Sequence, residues 1–267
     1  MPMLAVIEKE MRMFFRYPLR VVSSLLVGIV FLIQFIFFGQ AVLGGRYSDI
    51  LASATGLGDY PTYALIGYVL WWLFASPIEA YIFGVRRELQ RGTLEGNIAA
   101  PIGDITFLVG LAVGWVLIDN VLMAVVFAFG VVVFGIPITW GILLKLLPVL
   151  LLAFVSFLGF GIIFAGLVML FKNIGALGQI FEFLVLFLSG VFFPMNVMPA
   201  WVRTAGELIP LTHAINLARG AFIGRSYLEM LPSLEALFLL SALYWGVGYL
   251  LFKWAEKTTR VVGYGGY

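Results

Sequence analysis

Residues 86–103 read RRELQRGTLEGNIAAPIG. The eighteen residues before them are YVLWWLFASPIEAYIFGV, and from residue 105 the chain continues ITFLVGLAVGWVLI. A polar segment punctuated by Gly and Pro, set between two long apolar runs, marks a chain that leaves a membrane, turns in water and re-enters. A helix needs roughly 20 apolar residues to cross a hydrocarbon core of about 30 Å. Six stretches meet that length, at 20–43, 61–85, 104–134, 142–171, 175–193 and 234–253. The runs are continuous rather than alternating, which predicts helices and not a barrel, because a helix pairs every backbone amide within its own segment. The runs at 104–134 and 142–171 exceed one crossing and predict tilt or extension beyond the bilayer.

Composition agrees. The chain is 63% hydrophobic and 11% charged, whereas soluble domains sit near 45–50% apolar and about 25% charged. Its polar surface could not cover a water-facing globule of 267 residues. The expected fold class is all-α: a polytopic membrane protein with six transmembrane helices, residues 20–267. A net charge of +2 with no dense basic run gives no reason to expect nucleic acid as a partner. With no cysteine, disulfides, thiolate catalysis and Cys-based metal sites are excluded. The run VVSSLLVGIVFLIQFIFF, residues 21–38, is longer than a signal-peptide core and reads as a retained span.

Lys and Arg set the orientation. Six crossings put Lys9, Arg12, Arg16, Arg20, Arg86, Arg87, Arg91, Lys172, Lys253, Lys257 and Arg260 on one side, eleven of the sixteen basic residues. Arg46, Lys145, Arg203, Arg219 and Arg225 fall on the other. Both termini and the 86–103 loop are therefore expected to be cytoplasmic, in the cell membrane. Ahead of the first span, residues 1–19 place Leu4, Ile7, Met11, Phe14 and Phe15 on one helical face and Glu8, Lys9, Arg12 and Arg16 on the other. That pattern suits an amphipathic helix in the cytoplasmic interface, serving as an anchor or as a docking site. Residues 44–60 read as a mobile, Gly-rich outer loop. Residues 194–223 are amphipathic and broken by Pro194, Pro199 and Pro210. Two short helices, 199–208 and 212–223, are predicted there as an outer re-entrant hairpin.

The chain has no GxxxxGK[ST] phosphate cradle, so it is not expected to bind and hydrolyse ATP in that fashion. The single histidine, His213, stands at a predicted helix start and is expected to cap or pack; no metal site is expected. Acids at membrane depth are costly and therefore functional suspects. Glu79 and Asp119 are read equally as helix-packing partners or as part of a path, and Glu182 in the fifth run joins them. Lys145 is expected to snorkel to the outer interface. Trp71, Trp72, Trp115, Trp140, Trp201 and Trp245 are candidates for an aromatic belt. Phe181 and Phe187 belong to an aromatic cluster that could line a cargo path, with lipid-facing packing as the plainer alternative.

The quoted loop reads as a mechanical part. RRELQR continues the second span into the cytoplasm, Gly92 bends it, Thr93 can cap a short helix LEGNIAA, and Pro101 and Gly103 stop that helix. Here the sequence resembles the permeases of type-2 ATP-binding-cassette exporters. Glu88, Arg91, Gly92, Thr93, Leu94, Glu95 and Pro101 match the family's cytoplasmic coupling segment. Residues 187–224, with Ser189, Gly190, Pro194, Pro199, Trp201, Pro210, Leu211, Thr212, Arg219 and Gly220, resemble its re-entrant segment. The resemblance implies a permease that pairs with a second permease subunit, as homodimer or heterodimer, and with separate ATPase subunits. It implies that this chain binds no cofactor, ATP and Mg being handled by the partner. Closure of the ATPases would push the coupling helix and open a path for an amphiphilic cargo, whether drug, lipid or lipid-linked glycan. A membrane-embedded lipid or glycan transferase would need converging acids or histidines, and a secondary transporter often shows repeated halves; neither pattern is evident in the sequence.

Overall fold

The computed structural model describes residues 18–94 and 104–262, together with Glu8, Arg12, Arg16 and Gly96. Among the described residues the chain is all-α, with no strand longer than the isolated bridge between Tyr47 and Asp59. The helices are α1 (Pro18–Leu43), α2 (Asp49–Thr55), α3 (Tyr60–Gln90), α4 (Asp104–Phe134), α5 (Trp140–Phe171), α6 (Gly175–Leu188), α7 (Ala200–Glu207), α8 (Pro210–Phe222) and α9 (Leu231–Val262). Five of them, α1, α3, α4, α5 and α9, are long and apolar enough to cross a membrane. The protein is a polytopic membrane protein.

The predicted fifth span is where the structure departs from the simple count. Its helix, α6, has 14 residues and reaches about 21 Å, short of the roughly 30 Å hydrocarbon core. Gly190, with φ of +71°, takes the chain out of the helix. Contacts with α3 nevertheless trace the whole run 175–193 along the bundle. Gly175 and Gly178 lie beside Phe83 and Ile82, the Glu182 carbonyl accepts from the Trp71 indole, and the Phe192 carbonyl accepts from the Tyr60 hydroxyl at 3.4 Å. From Phe83 to Tyr60 along a helix is about 35 Å. A short helix and a non-helical tail thus cover together the length that one helix was expected to cover.

Strand-like regularity plays no part; small residues set the helix spacing. In α5 and α9, Trp245 packs at Gly159 and its indole donates to the Val155 carbonyl, while Thr259 lies beside Met169. Rising numbers meet rising numbers, so α5 and α9 run parallel, and the chain between them must pass from one end of the bundle to the other. A Cβ on Gly248 would stand 2.9 Å from the Gly159 carbonyl oxygen, a backbone approach of the kind small residues permit between membrane helices. Gly248→Leu is expected to cost about 1–3 kcal/mol through overpacking, read as a lower melting temperature of the purified chain.

The loop at 44–60 is more ordered than its composition predicts. Ser48 caps α2 by accepting from the Leu51 amide. Arg46 donates to Asp59 at 2.7 Å and to the Phe134 carbonyl at 2.6 Å, tying the loop to the end of α4. The helices at 200–207 and 210–222 match the expected pair. His213 does not cap α8. Its Nε2 instead meets the Glu207 carbonyl at the end of α7, 2.8 Å away. Lys145 reaches the Gly224 and Arg225 carbonyls at 3.4 and 3.3 Å, so it closes the turn after α8. Most of the predicted interfacial helix, and Glu95, Pro101 and Gly103 of the loop, lie outside the described residues. Within the former, Arg12 donates to Glu8 at 2.5 Å across one helical turn.

Candidate functional site

The middle of the bundle holds a polar cavity of about 290 Å³. Helix α3 forms its floor. Trp71, Trp72, Ala75, Ser76 and Glu79 recur at the spacing of one helical face. Ser23, Ser24 and Val27 of α1 wall one side, Trp115 and Asp119 of α4 another, and Glu182 of α6 a third. Asp119 is the central residue of α4, and Ser76 lies next to the centre of α3. The site is therefore at mid-span, where a charged group is most costly.

The structure brings together Glu79, Asp119 and Glu182, which are far apart in sequence. Ser76 donates to Asp119 Oδ2 at 2.6 Å, holding that carboxylate toward α3. Asn120 turns back on its own helix and donates to the Val116 carbonyl. Glu182 is 7% exposed and lies within electrostatic range of Glu79. Among the described residues, none of the eleven lining side chains is basic. Asp119→Asn keeps the bond from Ser76 while removing charge. It is expected to change transport more than melting temperature; a change in melting temperature alone would make Asp119 a packing residue.

Phe181 and Phe187 do not join the cavity. Successive helical residues are about 100° apart, so the turn that points Glu182 inward points Phe181 at α5. There it packs on Phe160 and Phe164, with ring centroids 5.6 and 5.3 Å away. Phe187, five residues after Glu182, faces outward and is 55% exposed. Trp71, Trp72 and Trp115 depart from the expected belt, because they sit at mid-span in the cavity and not at helix ends. Trp245 is also mid-helix. Trp140 and Trp201, exposed at helix starts, keep positions suited to a belt. The cavity was legible in one respect that the sequence reading missed: the aromatic, small and acidic residues at 71, 72, 75, 76 and 79 share a face.

Above the cavity, at the end of the bundle where α3 begins, the non-helical run after α6 exposes carbonyls that no helix satisfies. Arg219 of α8 meets them. It is 6% exposed and donates from Nη1 to the Gly190 carbonyl at 2.8 Å, and from Nη2 to those of Val191 at 2.8 Å and Tyr63 at 3.1 Å. Its guanidinium lies 3.3 Å over the Tyr63 ring, whose hydroxyl donates to Gly190 as well. Pro194 precedes a 3-10 turn, Pro199 stands just before α7, and Pro210 is the first residue of α8, where its missing N–H costs nothing. Irregular backbone deep in such a bundle is tolerable because protein groups satisfy it.

Below the cavity, α3 ends at the quoted segment. Gly92 turns the chain with φ of +67°. Thr93 donates to the Glu88 carboxylate at 2.6 Å, and its amide to the Glu88 carbonyl at 3.0 Å. Thr93 thus closes the turn behind it; its expected capping of the following helix rests on residues outside those described. Glu88 and Leu94 are each 1% exposed, whereas Arg91, Gly92 and Thr93 face solvent. Asp104, first in α4, pairs with Lys253 of α9, which also donates to Glu256 at 3.0 Å. The segment is anchored at both ends by long helices.

The protein is thus an all-α bundle with a mid-span polar cavity and an exposed turn carried on the cavity's own helix. A family model described as ABC-2 type transporter matches residues 3–223. The chain belongs to the ABC-2 type transporter family, as its membrane-embedded permease. Over 172 residues it is 23% identical to the probable multidrug ABC transporter permease YbhR of Escherichia coli strain K12, a match covering 63% of this chain and 46% of the relative. The same figures hold for YbhR of strain O157:H7. Nodulation protein J of Rhizobium leguminosarum bv. trifolii is 30% identical over 98 residues, 37% of each chain. The match therefore takes in about half the length of the E. coli relatives.

Proposed function

We propose that this chain is the conduit of an ATP-driven exporter and forms half of a permease dimer, with ATP and Mg bound and hydrolysed by separate ATPase subunits. The chain itself is neither an ATPase nor a holder of any cofactor. Six crossings, the fifth completed by the run after α6, put both termini and the 86–103 segment at the cytoplasmic face of the cell membrane. The cargo is an amphiphile, in keeping with the multidrug permease named among the relatives.

One observation carries the reading. A single unbroken helix, α3, bears the cavity floor from Trp71 to Glu79 and ends at the exposed turn Arg91–Thr93. The two are joined by twelve helical residues, about 18 Å. A push on the turn therefore moves the cavity wall. An ATPase that binds the turn differently in its open and closed states would shift the population of cavity shapes by that difference in affinity. Arg219 and the helices α7 and α8 would hold the outer end of the path. The reading is tested by isolating the tagged chain from its native membrane. An ATPase subunit with a phosphate-binding loop should accompany it in stoichiometric amount, and its absence would favour an embedded enzyme.

A further inference from the structure

Resting on that reading of the cavity as the path, we propose that its cargo is cationic: an amphiphile whose organic ammonium, or similar lipophilic cation, sits among the carboxylates of Glu182, Glu79 and Asp119. Its apolar part would lie on Trp71, Trp72 and Trp115.

The strongest pointer is Glu182. More than nine-tenths of its surface is buried, it lines the cavity, and among the described residues no hydrogen bond or ion pair reaches its carboxylate. The one bond at this residue is to its backbone carbonyl. A carboxyl group on a buried residue that opens on a cavity and meets no partner among the described residues is an unfinished site. The cavity adds two further acids and, among the described residues, no basic side chain. An anion would be repelled there, and a cation would be drawn in. The indoles decide between kinds of cation. Tryptophan faces attract organic cations and present apolar surface to the body that carries them. A metal ion instead needs several converging oxygen or nitrogen ligands, and the described acids form no such group. The cavity's place at mid-span also suits a charge that must be shielded while it crosses.

The test compares tetraphenylphosphonium with tetraphenylborate, which has the same shape and the opposite charge. Equilibrium binding is measured on the full chain in lipid nanodiscs, and ATP-driven movement in vesicles containing the chain with its ATPase. Saturable binding of the phosphonium and none of the borate is expected. Glu182→Gln should weaken phosphonium binding by roughly thirtyfold or more, and Glu79→Gln should weaken it as well. Equal binding of the two probes, or wild-type binding by the Gln variants, would overturn the proposal. If Glu182→Gln does not insert, Glu79→Gln and Asp119→Asn decide. Phosphonium binding without ATP-driven movement would reject the conduit reading and leave the cation site standing. ATP-driven movement of an uncharged amphiphile with no phosphonium binding would do the reverse.

Discussion

Replacing Arg219 with alanine is expected to lower the melting temperature of the folded chain substantially. The side chain donates to three carbonyls, of Gly190, Val191 and Tyr63, and all three residues are buried. Gly190 still accepts from the Tyr63 hydroxyl and the Tyr63 carbonyl lies within α3, so the loss falls chiefly on the Val191 carbonyl, at about 1–3 kcal/mol, and the lost cation–ring contact with Tyr63 adds to that. That is a substantial loss against the 5–15 kcal/mol that typically separates folded from unfolded states. Arg219→Lys keeps the charge but offers one compact ammonium in place of a planar fork. It should rescue only part of the loss. Size-exclusion profiles and melting curves of the purified variants read the effect. A wild-type melting temperature for Arg219→Ala would show that water or lipid replaces the guanidinium, and that the run after α6 is not held as described.

The largest functional effect is expected at the turn. Arg91 is exposed at the end of α3, and charge reversal there should lower ATP-driven transport by roughly tenfold or more while insertion and melting temperature stay normal. Glu88 acts differently. It is buried, and its carboxylate holds Thr93, so it shapes the turn and does not present itself to a partner. Glu88→Ala should lose coupling as Arg91→Glu does. Glu88→Gln should recover much of it, because the amide oxygen still accepts from the Thr93 hydroxyl. Arg91→Glu has no such conservative rescue. ATPase copurification and vesicle transport, measured together, separate a lost partner from an attached but uncoupled one. Unchanged transport in both Arg91→Glu and Glu88→Ala would remove this turn from the energy path.

Much of the architecture was legible because hydrophobic length is a strong local signal. Five of the six predicted spans appear as single long helices, and the proline-bounded helices at 200–207 and 210–222 fall where Pro199 and Pro210 place them. The fifth span was only half legible. Its apolar run continues through SGVFF, and nothing in hydropathy shows that Gly190 breaks the helix and that an arginine twenty-nine residues later supplies the missing donors. The three acids were visible as costly residues, but their convergence depends on how α3, α4 and α6 pack. The tryptophans were misplaced for the same reason, since belt and cavity residues look alike without depth. Glu88 and Thr93 were recognised as a pair of motif positions, but their mutual bond is a matter of three-dimensional turn geometry. The order of the outer loop was missed because Arg46 finds its second acceptor 88 residues away, at Phe134.

The central claim is that this chain is a passive lever and path worked from outside. Vesicles reconstituted with the chain alone, and with the chain plus its copurifying ATPase, should be loaded with ATP and Mg and compared for tetraphenylphosphonium movement. Movement only when the ATPase is present, and lost with Arg91→Glu, is the predicted result. Equal movement by the chain alone would contradict it.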